Sequence, residues 1–128
     1  MFLGIRTVIY PAPDLDASKA WFTALLGSEP YFDQPFYVGY NVGGYELGLD
    51  PNADPATGAQ SYWGVPDIDA AFQALLDAGA RGHTEVTQTG DGIRVAGVLE
   101  PGGTFLGLIE NPHFQLPKPP ADAAGPGR

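Results

Sequence analysis

A five-residue phrase occurs twice in this chain, and it constrains the fold more than any other feature. Pro13-Asp14-Leu15-Asp16-Ala17 returns 53 residues later as Pro66-Asp67-Ile68-Asp69-Ala70. A second pair follows in the same order. Gly43-Gly44-Tyr45-Glu46-Leu47-Gly48-Leu49 returns as Gly102-Gly103-Thr104-Phe105-Leu106-Gly107-Leu108, at an offset of 59. Two ordered echoes point to one structural unit duplicated in tandem.

Each copy reads alike. Residues 2–11, rich in β-branched and aromatic side chains and halted by Pro11 and Pro13, predict a strand. Asp14 then supplies an N-cap, and a helix to Leu26 carries Leu15, Trp21, Phe22, Leu25 and Leu26 mostly on one face, with Gly27 closing it. After Pro30, Tyr31-Phe32-Asp33 reads as a short strand, residues 36–42 alternate clearly, and Gly43-Gly44 joins them to a return strand over 45–49. After a polar connection at 50–59 the order repeats: a strand at 60–65, a helix at 67–78, then strands at 83–88, 93–99 and 104–110. The expected organisation is one domain over 1–117 made of two strand-helix-strand-strand-strand modules, about 1–52 and 58–112. A proline-rich, poorly ordered tail is expected at 118–128.

Composition limits function. The 128 residues include 18 Gly and 13 Pro, favouring many short elements over a few long helices. The absence of cysteine excludes disulfides, thiolate zinc sites and a cysteine nucleophile, and fits a reducing cytoplasm. A net charge of −9 repels a phosphate backbone, so no nucleic-acid partner is expected, whereas an acidic cleft suits a cationic ligand. No apolar run approaches the roughly 20 residues that span a bilayer, so no membrane partner is expected either.

The stretch Asp14-Leu15-Asp16-Ala17-Ser18-Lys19-Ala20-Trp21-Phe22, followed by Leu26-Gly27, then Asp67-Ile68-Asp69 and the turn Glu100-Pro101-Gly102-Gly103, resembles the vicinal oxygen chelate superfamily. That superfamily includes glyoxalase I, extradiol dioxygenases, and bleomycin and fosfomycin resistance proteins. The resemblance covers residues 5–112. It implies an α+β fold of tandem βαβββ modules, whose curved mixed sheets surround a cleft, and modules that pair within a chain or across a homodimer.

The resemblance also implies where a metal would be held. Metal-binding members place a His or Gln seven residues before the Asp of each strand-helix junction, which falls on Thr7 and Gln60. They place a Glu in the last strand of each module, which falls on Gly48 and Gly107. Threonine is a poor ligand, and glycine has no side chain to offer, so one amide is left where three or four His or carboxylate ligands are needed. No metal or other cofactor is therefore expected, a divalent ion bound by atypical ligands being the alternative.

Strand alternation turns Thr7, Ile9, Gln60 and Tyr62 toward the cleft. Tyr37, Tyr62 and Phe105 offer aromatic walls, and Asn41, Gln60 and Thr7 offer hydrogen bonds. Gly48 and Gly107 would leave room for a ligand on the cleft floor. Glu46 shares the cleft face with Gly48 and is the candidate base or counter-charge, while Arg94 would pair with Glu46 or clamp an anion. His83 and His113 read as surface or capping residues. Three functions fit: a metal-free protein binding a small, cationic or aromatic molecule; a metal-dependent glyoxalase, lyase or dioxygenase; or a metal-independent isomerase or lyase with Glu46 as base and Tyr37 or Tyr62 as acid.

Overall fold

The computed structural model describes residues 1–115, so the tail expected at 118–128 lies outside the described residues. The duplicated phrase marks two helix starts. Asp14 Oδ1 accepts the amide hydrogen of Ala17 at the head of α1 (Leu15–Leu26), and Asp67 Oδ1 accepts that of Ala70 at the head of α2 (Ile68–Asp77), each at 3.1 Å. A carboxylate in that position satisfies an amide left over by helix geometry.

Eight strands form one mixed sheet. The first module contributes β1 (Gly4–Pro11), β2 (Phe32–Gln34), β3 (Tyr37–Val42) and β4 (Tyr45–Asp50). The second contributes β5 (Gln60–Gly64), β6 (Arg81–Gly90), β7 (Ile93–Leu99) and β8 (Phe105–Glu110). Their spatial order is β2-β3-β4-β1-β5-β8-β7-β6, so each module keeps its four strands together and the two meet where β1 runs antiparallel to β5. Within each module the first and last strands are parallel, β1 with β4 and β5 with β8.

Each helix covers its own module on one face of the sheet. Under α1 lie Ala12, Val38, Tyr40 and Leu49, packed by Leu15, Phe22 and Leu26. Under α2 lie Val65, Ile68, Ala71, Ala96 and Leu108, packed by Phe72 and Leu75. Alternation along each strand therefore leaves the opposite residues on the uncovered face.

The first helix differs from its sequence reading in one respect. Leu15, Phe22 and Leu26 are inward, but Trp21 and Leu25 are 60% and 62% exposed. Trp21 and Leu25 are four residues apart and form a stripe of their own, turned by roughly 60–100° from the Phe22 stripe that meets the sheet. Trp21 packs edge-on against Phe22 at 4.9 Å instead of entering the core. Among the described residues no helix is long and apolar enough to cross a membrane.

Candidate functional site

On the uncovered face, the two modules enclose a cavity of about 700 Å³. Its centre of charge is Glu46. On β4, Glu46 alternates with the core residue Leu47 and stands opposite Thr7 of β1 and Asn41 of β3. Its carboxylate accepts three hydroxyl hydrogen bonds. Tyr37 donates to Oε1 at 2.9 Å, Thr7 donates to the same oxygen at 3.2 Å, and Tyr31 donates to Oε2. Thr7 is only 6% exposed, so this end of the network is closed from solvent.

The phenols respond to their place. Burial first, then the Glu46 charge and hydrogen bond, pushes the Tyr37 hydroxyl far above the usual phenol range. Desolvation of its hydroxyl and the Glu46 hydrogen bond raise Tyr31 likewise, although the residue as a whole is 64% exposed, and burial followed by the Asp50 charge raises Tyr62. All three therefore hold their protons more tightly in the folded chain than a free phenol, whose ordinary value is 10.0. Because the folded state then binds more protons than the unfolded one, the stability they confer is complete below about pH 10 and declines as pH rises further. Urea unfolding at about pH 8 and about pH 10.5 should show this alkaline loss, and Tyr37→Phe should make it shallower.

The floor of the cleft is not open. A Cβ at Gly48 would lie 1.8 Å from the Tyr37 hydroxyl oxygen, and one at Gly107 would lie 2.5 Å from the Tyr62 ring. Each glycine is the gap into which a neighbouring tyrosine lies. The sequence reading gave that room to a ligand, whereas the structure gives it to the protein's own rings. These are the two positions where metal-binding relatives would carry glutamate. With tyrosines across both glycines, and no group of three His, Asp or Glu gathered among the described residues, the donor set does not fit a divalent ion.

Of the residues singled out in the sequence, Thr7, Ile9, Tyr37, Asn41, Glu46 and Tyr62 line the cavity. Asn41 also braces the β3–β4 turn, its Oδ1 accepting from the Gly44 amide at 2.9 Å. Gln60, Arg94 and Phe105 are not on the cavity wall. Gln60 is half-buried at the start of β5, opposite Ile9. Phe105 packs edge-on against Tyr62 at 5.6 Å and His83 at 5.3 Å, with its ring across Gly97.

Arg94 faces the other way. Ile93 and Val95 line the cavity, so strand alternation sends the residue between them to the helix side. There Arg94 pairs with Asp69 at 2.8 Å and Glu110 at 3.0 Å, and Glu110 also accepts the Ile68 amide at 3.0 Å. The pairing with Glu46 considered from the sequence gives way to a clamp on the start of α2.

Other wall residues come from places that the sequence did not mark. Asp50, the first residue of the polar connection expected at 50–59, instead ends β4 and lines the cavity. Tyr31, Phe32 and Phe36 reach it from the margin of β2. Arg6 joins Thr7 because β1 shifts register against β5 between Ile5 and Thr7, inserting one residue that alternation alone would turn away. Its guanidinium lies 4.0 Å from the Phe114 ring centroid. His113, read from the sequence as a surface or capping residue, is exposed and stands at the wall, its Nε2–H donating to the Asp91 carbonyl at 2.8 Å.

Comparisons with known proteins agree on the architecture. A methylmalonyl-CoA epimerase in complex with methylmalonyl-CoA and an ammonium ion is 19% identical with a TM-score of 0.69, covering 91% of this chain and 100% of that one. A superfamily member from Vibrio splendidus 12B01 is 18% identical with a TM-score of 0.65, covering 84% and 99%. A protein from Legionella pneumophila described as an NAD-dependent benzaldehyde dehydrogenase is also 18% identical at 0.65, covering 81% and 96%. Such different activities at such identities show a shared fold. No curated protein sequence matches. The model of the Glyoxalase/Bleomycin resistance protein/Dioxygenase superfamily matches residues 4–108, and with the paired modules and their enclosed cleft this establishes that the chain belongs to that superfamily.

Proposed function

We propose that this protein binds a small organic molecule in the cleft between its modules, without a metal ion, and that Glu46 is the fixed charge its ligand meets. The observation that carries the reading is the closure of the cleft floor by Tyr37 over Gly48 and Tyr62 over Gly107, with a cavity of about 700 Å³ remaining. That volume and its lining are those of a small-molecule site: aromatic and aliphatic walls with a few placed polar groups.

The hydroxyl network favours Glu46 as a counter-charge over Glu46 as a base. A carboxylate offers about four acceptor sites, and three are already filled by Tyr31, Tyr37 and Thr7. Drawing a proton from a substrate would compete with bonds that the fold has already made. The epimerase likeness does not extend readily to an acyl-CoA ligand. Its phosphates call for cationic side chains, and among the described wall residues the arginine is Arg6, already over Phe114.

Elemental analysis of extensively dialysed protein, paired with a thermal-shift screen of small organic molecules with and without divalent ions, tests the reading. The expected result is less than a tenth of an equivalent of any divalent metal, and ligand shifts that chelators leave unchanged, on the order of several degrees at saturation. A stoichiometric ion that survives dialysis would overturn it.

A further inference from the structure

The hydroxyls around Glu46 have a second consequence. Each carries one proton, and Thr7, Tyr31 and Tyr37 all direct theirs to the carboxylate. What the two tyrosine oxygens can still offer a ligand is therefore lone pairs. Glu46 Oε1 takes two of the bonds and Oε2 one, so an acceptor site remains on Oε2 as well. The raised phenols keep their protons, which keeps this polarity in place at neutral pH. Around Glu46 the carboxylate and hydroxyl oxygens present acceptors, the nearby uncharged donor being the amide nitrogen of Asn41, whose Oδ1 is taken by the Gly44 amide.

The aromatic side chains beside it add to that polarity. Phe32 lies 6.0 Å from Phe36 and 6.2 Å from Tyr37, and Tyr31 and Phe36 are 64% and 60% exposed. Aromatic faces grouped beside a carboxylate attract cations through their quadrupoles. Asp50 adds a second negative charge to the wall, while Arg6 is engaged with the Phe114 ring and the Leu3 and Ile5 carbonyls. Ile93, Val95 and Ile109 supply apolar wall for the rest of a ligand.

Resting on the binding reading above, we propose that the group seated at Glu46 is a protonated primary amine carried on an aromatic or branched apolar body. An ammonium brings three donors and a positive charge to a place that presents acceptors, a carboxylate and neighbouring aromatic rings. A carboxylate or phosphate would meet lone pairs and like charge there, and an alcohol would bring one donor and no charge.

Calorimetric titration with phenethylamine and its neutral counterpart phenethyl alcohol at neutral pH tests this on the wild-type chain. The amine is expected to bind roughly tenfold or more tightly than the alcohol, as a charge-assisted bond exceeds a neutral one. In Glu46→Gln that preference should vanish, the two probes binding alike. Equal binding of amine and alcohol by the wild type, or a preference that survives Glu46→Gln, overturns the ammonium assignment. If neutral aromatic compounds stabilise the protein while phenethylamine is inert, the assignment fails and cleft binding stands. If no compound of either kind binds, both fail. The wild-type comparison requires no variant to fold.

Discussion

Replacing Tyr40 with alanine is expected to lower the stability of the whole domain by about 3–5 kcal/mol, the cost of emptying a large buried aromatic site. Tyr40 is fully buried on β3, beneath α1, among Ala12, Val38 and Leu49. Its ring lies 6.4 Å from that of Phe22. Its hydroxyl donates to the Lys19 carbonyl at 2.9 Å and accepts from the Thr23 hydroxyl at 2.7 Å, so one side chain ties the middle of the helix to the sheet. Tyr40→Phe keeps the ring and removes those two bonds, and should cost only about 1–2 kcal/mol. Urea unfolding of both variants separates the packing contribution from the hydrogen bonds. Equal losses in the two would mean that the hydroxyl, not the ring, holds α1 down. Because domains of this size are stable by about 5–15 kcal/mol, the alanine variant should approach the unfolding threshold.

The second large effect is expected at Gly48, where the smallest addition strikes the Tyr37 side chain. Its backbone is not among those with positive φ, so alanine meets no conformational penalty there. The added methyl instead falls 1.8 Å from the Tyr37 hydroxyl oxygen and must displace it. Overpacking of this kind costs about 1–3 kcal/mol, and the lost Tyr37–Glu46 hydrogen bond adds about 1 kcal/mol. Gly48→Ala should therefore destabilise the fold and weaken ligand binding together. In a Tyr37→Ala background the methyl has room, so its cost should fall to a few tenths of a kcal/mol. A double-mutant cycle then yields a coupling energy of about 1–3 kcal/mol. Simple additivity would show that Gly48 is small for some reason other than Tyr37.

Tyr37 at Gly48 has a counterpart in the second module. The gaps at Gly48 and Gly107 are related by the same offset as the repeated sequence, and each is filled by a tyrosine. The fillers are unrelated by that offset. Tyr37 crosses from β3, the neighbour of β4, whereas Tyr62 crosses from β5, the neighbour of β8. In the first module, the filling ring presents its hydroxyl to a carboxylate. In the second, it packs on Phe105, the residue that stands where the first module has Glu46. The first module thus places a carboxylate on the cavity wall where the second has a phenylalanine that lies off it, although the two share one sequence pattern.

The parts of this molecule legible in the sequence are those set by local chemistry. The repeated Pro-Asp phrase marks two helix N-caps because an aspartate three residues ahead of an amide can bond it without help from elsewhere. Alternation put Thr7, Ile9, Tyr37, Asn41, Glu46 and Tyr62 on the cleft side because a strand turns successive residues to opposite faces wherever it lies. Applied strictly, the same rule turns Arg94 away from its cavity-lining neighbours Ile93 and Val95. What only the tertiary structure decided depends on contacts between distant segments. The register shift that brings Arg6 beside Thr7, the crossing of Phe114 onto Arg6 and the convergence of Tyr31 with Tyr37 on Glu46 all arise there. So does the filling of the two glycine gaps by tyrosines instead of ligand. Periodicity gives the direction in which a side chain leaves the backbone, but the volume it enters is set by strands paired across the sheet.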